Sequence, residues 1–325
     1  MDWLATDFAP GDYARGRRSP PPQTGLMTRK KLAALISAGY GQGHFQRYKP
    51  WLRVTKRDYS PHSVVGHLPA VELARAHHFR SIAERDTIHV VKWLGACDVR
   101  DAFPAWPWEH DHPGCGLPGF KFPRRLPGLQ AIAKDAGIDH GCYPGTDIPY
   151  VATIDQLATW RLAEGRYRLV AFENKPEEVV FEPNPLLRAK ERLELTRRYC
   201  RAADISQRII HAERLPAELR ANLDLLEPRL TRQQYLALIE SRAYREVVDS
   251  LKQMGHDTGA SELLIKIQRR SGQAMPTLTA AFHLAIWRQD VDHDLSVPLR
   301  PWEPLRRGGV ALRQAFMDAW VGEAA

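Results

Sequence analysis

The chain has 325 residues, 44% of them apolar and 26% charged, with a formal net charge of +8. This length allows two domains with separate cores, and the composition is that of a soluble globular protein, not of a disordered or fibrous one. No apolar run approaches the ~20 residues that span a bilayer, the acidic start Met1-Asp2-Trp3 lacks a signal-peptide pattern, and four scattered cysteines make no disulfide framework; a reducing cytoplasm and no membrane partner are expected.

Residues 1–25 hold Arg15-Gly16-Arg17-Arg18-Ser19 and Pro20-Pro21-Pro22, with few apolar groups to bury, and are expected to form an extended or disordered arm. Residues 1–67 carry 11 Lys/Arg against 4 Asp/Glu, residues 68–227 carry 22 against 23, and residues 228–325 carry 13 against 11. The basic excess is therefore N-terminal, which fits either phosphate-backbone binding or a solvated tail.

Residues 28–38 read as a short helix stopped by Gly39, and residues 81–94 as a second helix with Ile82, Ile88, Val91 and Leu94 roughly on one face. The Pro- and Gly-rich stretch 104–128 predicts an irregular excursion. Helical spacing returns at Leu129, Ile132, Ala133 and Ala136 and stops at Gly137. Two strands flank Glu164-Gly165, a helix follows over about 185–202, and Arg208 to His211 reads as a further strand. Mixed helices and strands from about 70 to 227 predict an α/β domain. Beyond Pro228 the pattern is helical, with segments near 231–241, 243–254, 260–272 and 277–288, then a strand-like stretch from Asp290 to Leu295. That order predicts a helix-turn-helix or winged-helix domain over 228–325.

The chemistry concentrates at the two strands. Asp155 closes the apolar run from Tyr150 to Ile154, while Glu173 and Lys175 close the run from Leu169 to Phe172. Side chains alternate along a strand, so Glu173 and Lys175 point the same way. If the two strands pair antiparallel, Asp155 reaches the same spot. Two carboxylates suit a hard cation such as Mg²⁺, and a lysine beside them suits a phosphodiester. Solvated acids and lysines at strand ends give the same pattern without chemistry. Glu84 also has two readings. It completes a capping box with Ser81 at a helix start, or it is a further acid facing the sheet. His110-Asp111-His112 with Cys115, and His77-His78, lack the paired spacing of a structural zinc site. Gly39-Tyr40-Gly41-Gln42-Gly43 lacks the Lys and helix of a P-loop.

An ordered series of segments resembles the TnsA-like endonuclease subunits of heteromeric transposons, both Tn-seven-like and CRISPR-associated. The series runs through Arg47-Tyr48-Lys49-Pro50-Trp51-Leu52, His77-His78-Phe79-Arg80-Ser81-Ile82-Ala83-Glu84, Asp98-Val99-Arg100-Asp101-Ala102-Phe103-Pro104 and Ile132 to Ile138. It continues with Thr153-Ile154-Asp155, Phe172-Glu173-Asn174-Lys175-Pro176 and Leu193-Glu194-Leu195-Thr196-Arg197-Arg198-Tyr199. The resemblance covers about 40–230. Two departures stand out: Glu173 replaces a common Gln, and Thr196 stands where a charged residue is usual.

The resemblance implies a restriction-endonuclease-like nuclease domain (26–227), a mixed sheet flanked by helices, followed by the helical winged-helix-like domain (228–325). It implies that Glu84, Asp155 and Glu173 bind Mg²⁺, for which Mn²⁺ would substitute, and that Lys175 is the catalytic lysine. It further implies a cut in the non-transferred strand at each transposon end in double-stranded DNA, leaving 3′-hydroxyl and 5′-phosphate ends. A DDE transposase and an AAA+ regulator would be the partners. The competing readings are a stand-alone restriction or repair nuclease of the same fold and a non-catalytic DNA-binding assembly module.

Overall fold

The computed structural model describes residues 27–55, 64–181 and 187–322; the expected arm over 1–25 lies outside the described residues. The first helix, α1 (Arg29–Ser37), starts where Thr28 accepts a hydrogen bond from the Lys31 N–H, and ends at Gly39, whose φ of 81° favours glycine. A two-stranded antiparallel ribbon follows, β1 (Gly66–Ala70) and β2 (Arg75–Phe79). Helix α2 (Ile82–Trp93) begins at Ser81 as expected.

Strands β3 (Asp98–Ala105), β4 (Ala152–Arg161), β5 (Tyr167–Asn174) and β6 (Ser206–Ile210) form the central sheet in the order β3-β4-β5-β6. The first three pair antiparallel, and β6 runs parallel to β5. Between them lie α3 (Leu129–Ala136), α4 (Glu177–Phe181) and α5 (Leu187–Ala202); α6 (Ala217–Leu226) follows β6. Both faces of the sheet are buried. Leu157, Leu169 and Ala171 belong to a core that includes α3 and α5 through Ile132, Leu195 and Tyr199. Ala158, Val170 and Phe172, on alternate positions, join the core of α2 and α6 through Ile88, Val91 and Leu219.

One expectation about the strands needs correcting. Asp155 does not end a strand; it lies inside β4, which starts at Ala152 and runs on to Arg161. The apolar residue before it, Val151, is buried in a separate small cluster with Trp51, Trp106 and Ile148. Part of the apolar run is thus loop core. The antiparallel register still brings the start of β4 beside the end of β5.

The last part is helical: α7 (Arg232–Glu240), α8 (Arg242–Met254), α9 (Ala260–Ser271), α10 (Met275–Arg288) and α11 (Gly309–Phe316), with a wider turn over Met317–Val321. The strand-like stretch 290–295 is not a strand. Val291, His293 and Leu295 are buried at alternate positions, but the aspartates between them hold loop backbone. Asp292 accepts from the N–H groups of Gly308 and Val310, capping α11, and Asp294 accepts from Ser296. No strand forms after Ile210 among the described residues, so the hairpin of a winged helix is not seen there.

Among the described residues helices alone follow Ile210, beginning with α6, ahead of the expected 227/228 division, and one apolar core runs from Val91 and Phe172 to Phe282 and Trp320. Trp93 meets Phe316 edge-on at 5.9 Å, and Phe172 meets Trp320 at 5.6 Å. Arg313 donates to the Trp93 carbonyl, Arg168 to those of Val321 and Gly322, and Arg208 to that of Ala319. The segment Met317–Gly322 is therefore strapped to the back of the sheet.

Glu227, at the end of α6, is 5% exposed. Lys92 donates to one of its oxygens, and His89 Nδ1 stands 3.3 Å from the other. Burial alone would raise its carboxyl, but His89 and Lys92 outweigh burial and hold it at about 2. A depressed folded pKa stabilises the protein above the unfolded value and loses that contribution as pH falls towards 2. Wild type should therefore lose on the order of 3 kcal/mol more than Glu227→Gln between pH 5 and pH 2, measured by urea unfolding at each pH.

Candidate active site

Four side chains named from the sequence gather at one end of the sheet. The register Gln156↔Phe172 continues to set Asp155 opposite Glu173, with both side chains on the α5 face. Asp155 Oδ2 accepts the Asn174 N–H at 2.7 Å and Lys175 Nζ at 3.1 Å. The same ammonium lies 3.2 Å from Glu173 Oε2. Lys175 has left the β5 ladder, but its backbone is pinned: its N–H donates to the Ile210 carbonyl, and His211 Nδ1 bonds its carbonyl. The parallel neighbour β6 thus fixes where the lysine stands.

Glu84 approaches from α2. Its N–H donates to Ser81 Oγ, and its own Oε2 accepts the Arg80 N–H at 2.8 Å. This is the predicted cap with one change: the return bond reaches Arg80, one residue earlier than in a capping box. No hydrogen bond or ion pair joins Glu84 to the other three among the described residues. Their charges nevertheless interact. Burial, then the Asp155 carboxylate, raises the Glu84 carboxyl to about 8, although the Arg80 N–H, Lys175 and Arg80 pull the other way. Capping and site membership are therefore compatible for Glu84.

Glu173 is 4% exposed, and burial with the nearby Asp155 raises it to about 7, against the pull of Lys175 and a hydrogen bond with Thr196. Burial disfavours the Lys175 ammonium, but Asp155 and Glu173 outweigh that and raise its pKa. Lys175 therefore stays cationic, and the carboxylates around it hold more negative charge than one lysine neutralises.

Sequence reasoning did not foresee a set of polar groups behind the acids. Thr87 Oγ1 donates to Asn174 Oδ1 at 2.5 Å, and Asn174 Nδ2 donates to Gln156 Oε1 at 2.7 Å. Their signal in the sequence was adjacency: Gln156 follows Asp155, Asn174 sits between Glu173 and Lys175, and Thr87 is one turn beyond Glu84. The histidines of the irregular excursion have other work. His110 bonds the Trp108 carbonyl and Tyr199 hydroxyl, and His112 bonds the Ala203 carbonyl and Gly114 N–H.

The donor set is three carboxylates, all hard oxygen ligands. Among the described residues no three acid, imidazole or thiol groups form a ready cage for a cation. Asp155 and Glu173, with Glu84 near, match instead a cation held by one or two carboxylates and completed by water and phosphate oxygens, the usual arrangement for Mg²⁺. The Glu84 and Glu173 carboxyls are raised first by burial and then by the Asp155 charge, and a divalent ion would offset that second part. The residues present fit such an ion.

No family model matches the chain. No helix among the described residues is long and apolar enough to cross a membrane. The chain is 27% identical over 199 residues to the transposon Tn7 transposition protein TnsA of Escherichia coli. The match covers 60% of this chain and 62% of that protein, so the chain spans less than two thirds of its relative's length. With an α/β sheet layer and an acidic site at one end of it, the chain is distantly similar in sequence to a transposition protein.

Proposed function

We propose that this chain is a DNA endonuclease of transposition, cutting the non-transferred strand at transposon ends by hydrolysis. The observation that carries this is the shared contact of Lys175 with Asp155 and Glu173 at the junction of β4 and β5, with Glu84 presented by α2. The similarity to a transposition protein supports the choice of substrate. The restriction-endonuclease-like fold is part of this reading, and so are the DDE transposase and the AAA+ regulator as partners.

Mg²⁺ would be held by Asp155 and Glu173 with Glu84 as the third acid, and when bound it polarises a phosphodiester and lowers the pKa of a coordinated water. The chain's own residues do the rest. Asp155 is oriented by the Asn174 N–H, so its Oδ2 faces the lysine. Lys175, kept protonated by its two acids, serves as a fixed positive charge. That charge suits the pentavalent phosphate better than a role as proton acceptor. Burial of Glu173 on the α5 face keeps one side of the site dry.

A strand-resolved cleavage assay tests the proposal. DNA carrying transposon ends is incubated with the full chain, Mg²⁺, the DDE transposase and the AAA+ regulator. The expected product is a cut confined to the non-transferred strand, ending in 5′-phosphate. Efficient cutting of end-free DNA by the chain alone would move the reading to a stand-alone nuclease. Excision that is equal with wild type and Lys175→Ala would make it an assembly module.

A further inference from the structure

We infer that Thr87, Asn174 and Gln156 form a positioning clamp that sets the spacing of Glu84, Asp155 and Glu173 and thereby the affinity of the site for a divalent cation. The inference rests on the nuclease reading of those acids. Each element that carries an acid contributes one member. Thr87 is three residues beyond Glu84 on α2, on the neighbouring position of the same helical side. Gln156 follows Asp155 on β4, and Asn174 follows Glu173 on β5. The bonds run in one line: the Thr87 hydroxyl donates to Asn174 Oδ1, and Asn174 Nδ2 donates to Gln156 Oε1. Asn174 also gives its backbone N–H to Asp155 Oδ2. A single residue thus ties the helix to both strands and orients one of the acids.

The surroundings make this more than filling. Thr87 and Gln156 are 0% exposed, and the core of α2 and the sheet beside them holds the apolar Ile88, Val91, Ala158 and Phe172. Polar groups in such a layer cost free energy that apolar ones would not. Here part of that cost is visible, because Gln156 Nε2 is buried without a hydrogen-bond partner among the described residues. What polar groups supply is direction and length. An apolar contact between helix and sheet tolerates sliding, whereas two linked hydrogen bonds set how far α2 stands from β5. Glu84 makes no direct bond to the other acids, so its distance from them depends on that spacing. Partners that orient ligands in this way change metal affinity by about 10–100-fold when removed.

The test is a titration of the full chain with Mn²⁺ alone, without DNA or partners, followed by electron paramagnetic resonance of the free ion. Thr87→Val keeps the shape and removes the donor; Asn174→Ala breaks both bonds should the first variant fold poorly. Both should weaken Mn²⁺ binding about tenfold or more, and Thr87→Ser should restore it. Tyr244→Phe, which removes a comparable bond to Asp290 far from the acids, should bind as wild type does. Asp155→Asn reports on the site itself. If Asp155→Asn loses the ion while Thr87→Val and Asn174→Ala keep it, the clamp is overturned and the nuclease reading stands. A loss in Thr87→Ser as deep as in Thr87→Val overturns the clamp as well. If Asp155→Asn also binds Mn²⁺ like wild type, the nuclease reading fails and takes the clamp with it.

Discussion

Asp155→Asn is expected to lower the rate of strand cutting by about a hundredfold to a thousandfold, the loss typical when one preorganised electrostatic group leaves an active site. The change is nearly isosteric, so the loss is electrostatic. Asp155 shares Lys175 with Glu173 and accepts the Asn174 N–H. An amide oxygen still accepts that N–H, but its charge is gone. Lys175 then leans on Glu173 alone, and a bound cation would lose one of the carboxylates proposed to hold it. Part of the charge stress also disappears, because Asp155 is one cause of the raised Glu84 and Glu173 carboxyls. Asp155→Asn should therefore fold at least as well as wild type while cutting far more slowly. Single-turnover cleavage and urea unfolding, measured on the same preparation, check the two halves. Wild-type cutting by a folded Asp155→Asn protein would remove this carboxylate from the mechanism.

Trp320→Ala is expected to cost about 3–5 kcal/mol of stability, the range for emptying a fully buried aromatic site. Trp320 has 0% exposure and packs on Phe172 and Phe316. Phe172 precedes Glu173 on β5, so the cavity would open directly behind the strand that carries Glu173. The cost should appear as a lower urea midpoint with little change in slope. A loss under about 1 kcal/mol, well short of the expected range, would mean that the segment Met317–Val321 is weakly attached in solution.

Much of this architecture was legible in local chemistry. Ser81 announces α2, Gly137 with a φ of 66° ends α3, and Glu164-Gly165 turns β4 into β5 with both residues at positive φ. Each of these is a signal carried by the residues that obey it. The failures are where distant partners decide. β1 and its pairing with the strand that carries His77-His78 were not expected, since β1 contains Pro69 and takes its partner from residues beyond a turn. The stretch 290–295 has the alternation of a strand, but no neighbouring strand receives it, and its aspartates satisfy loop backbone instead. Asp155, Glu173 and Lys175 were readable because the strand period and a short turn bring them together. Glu84 was ambiguous because a cap and a site acid place the same residue at the same helix position. Thr87, Gln156 and the role of Asn174 were hidden, since their bonds join positions 87, 156 and 174 and no local pattern encodes such a link.

Thr196, whose hydroxyl donates to the Arg192 carbonyl, lies close enough to Glu173 to lower its carboxyl. Glu173 and Thr196 are also two positions where the chain departs from the pattern it resembles, one gaining a negative charge and the other standing neutral where a charged residue is usual. The two departures meet at one strand–helix interface. A site of this kind is then described by its total charge, not by which segment supplies it.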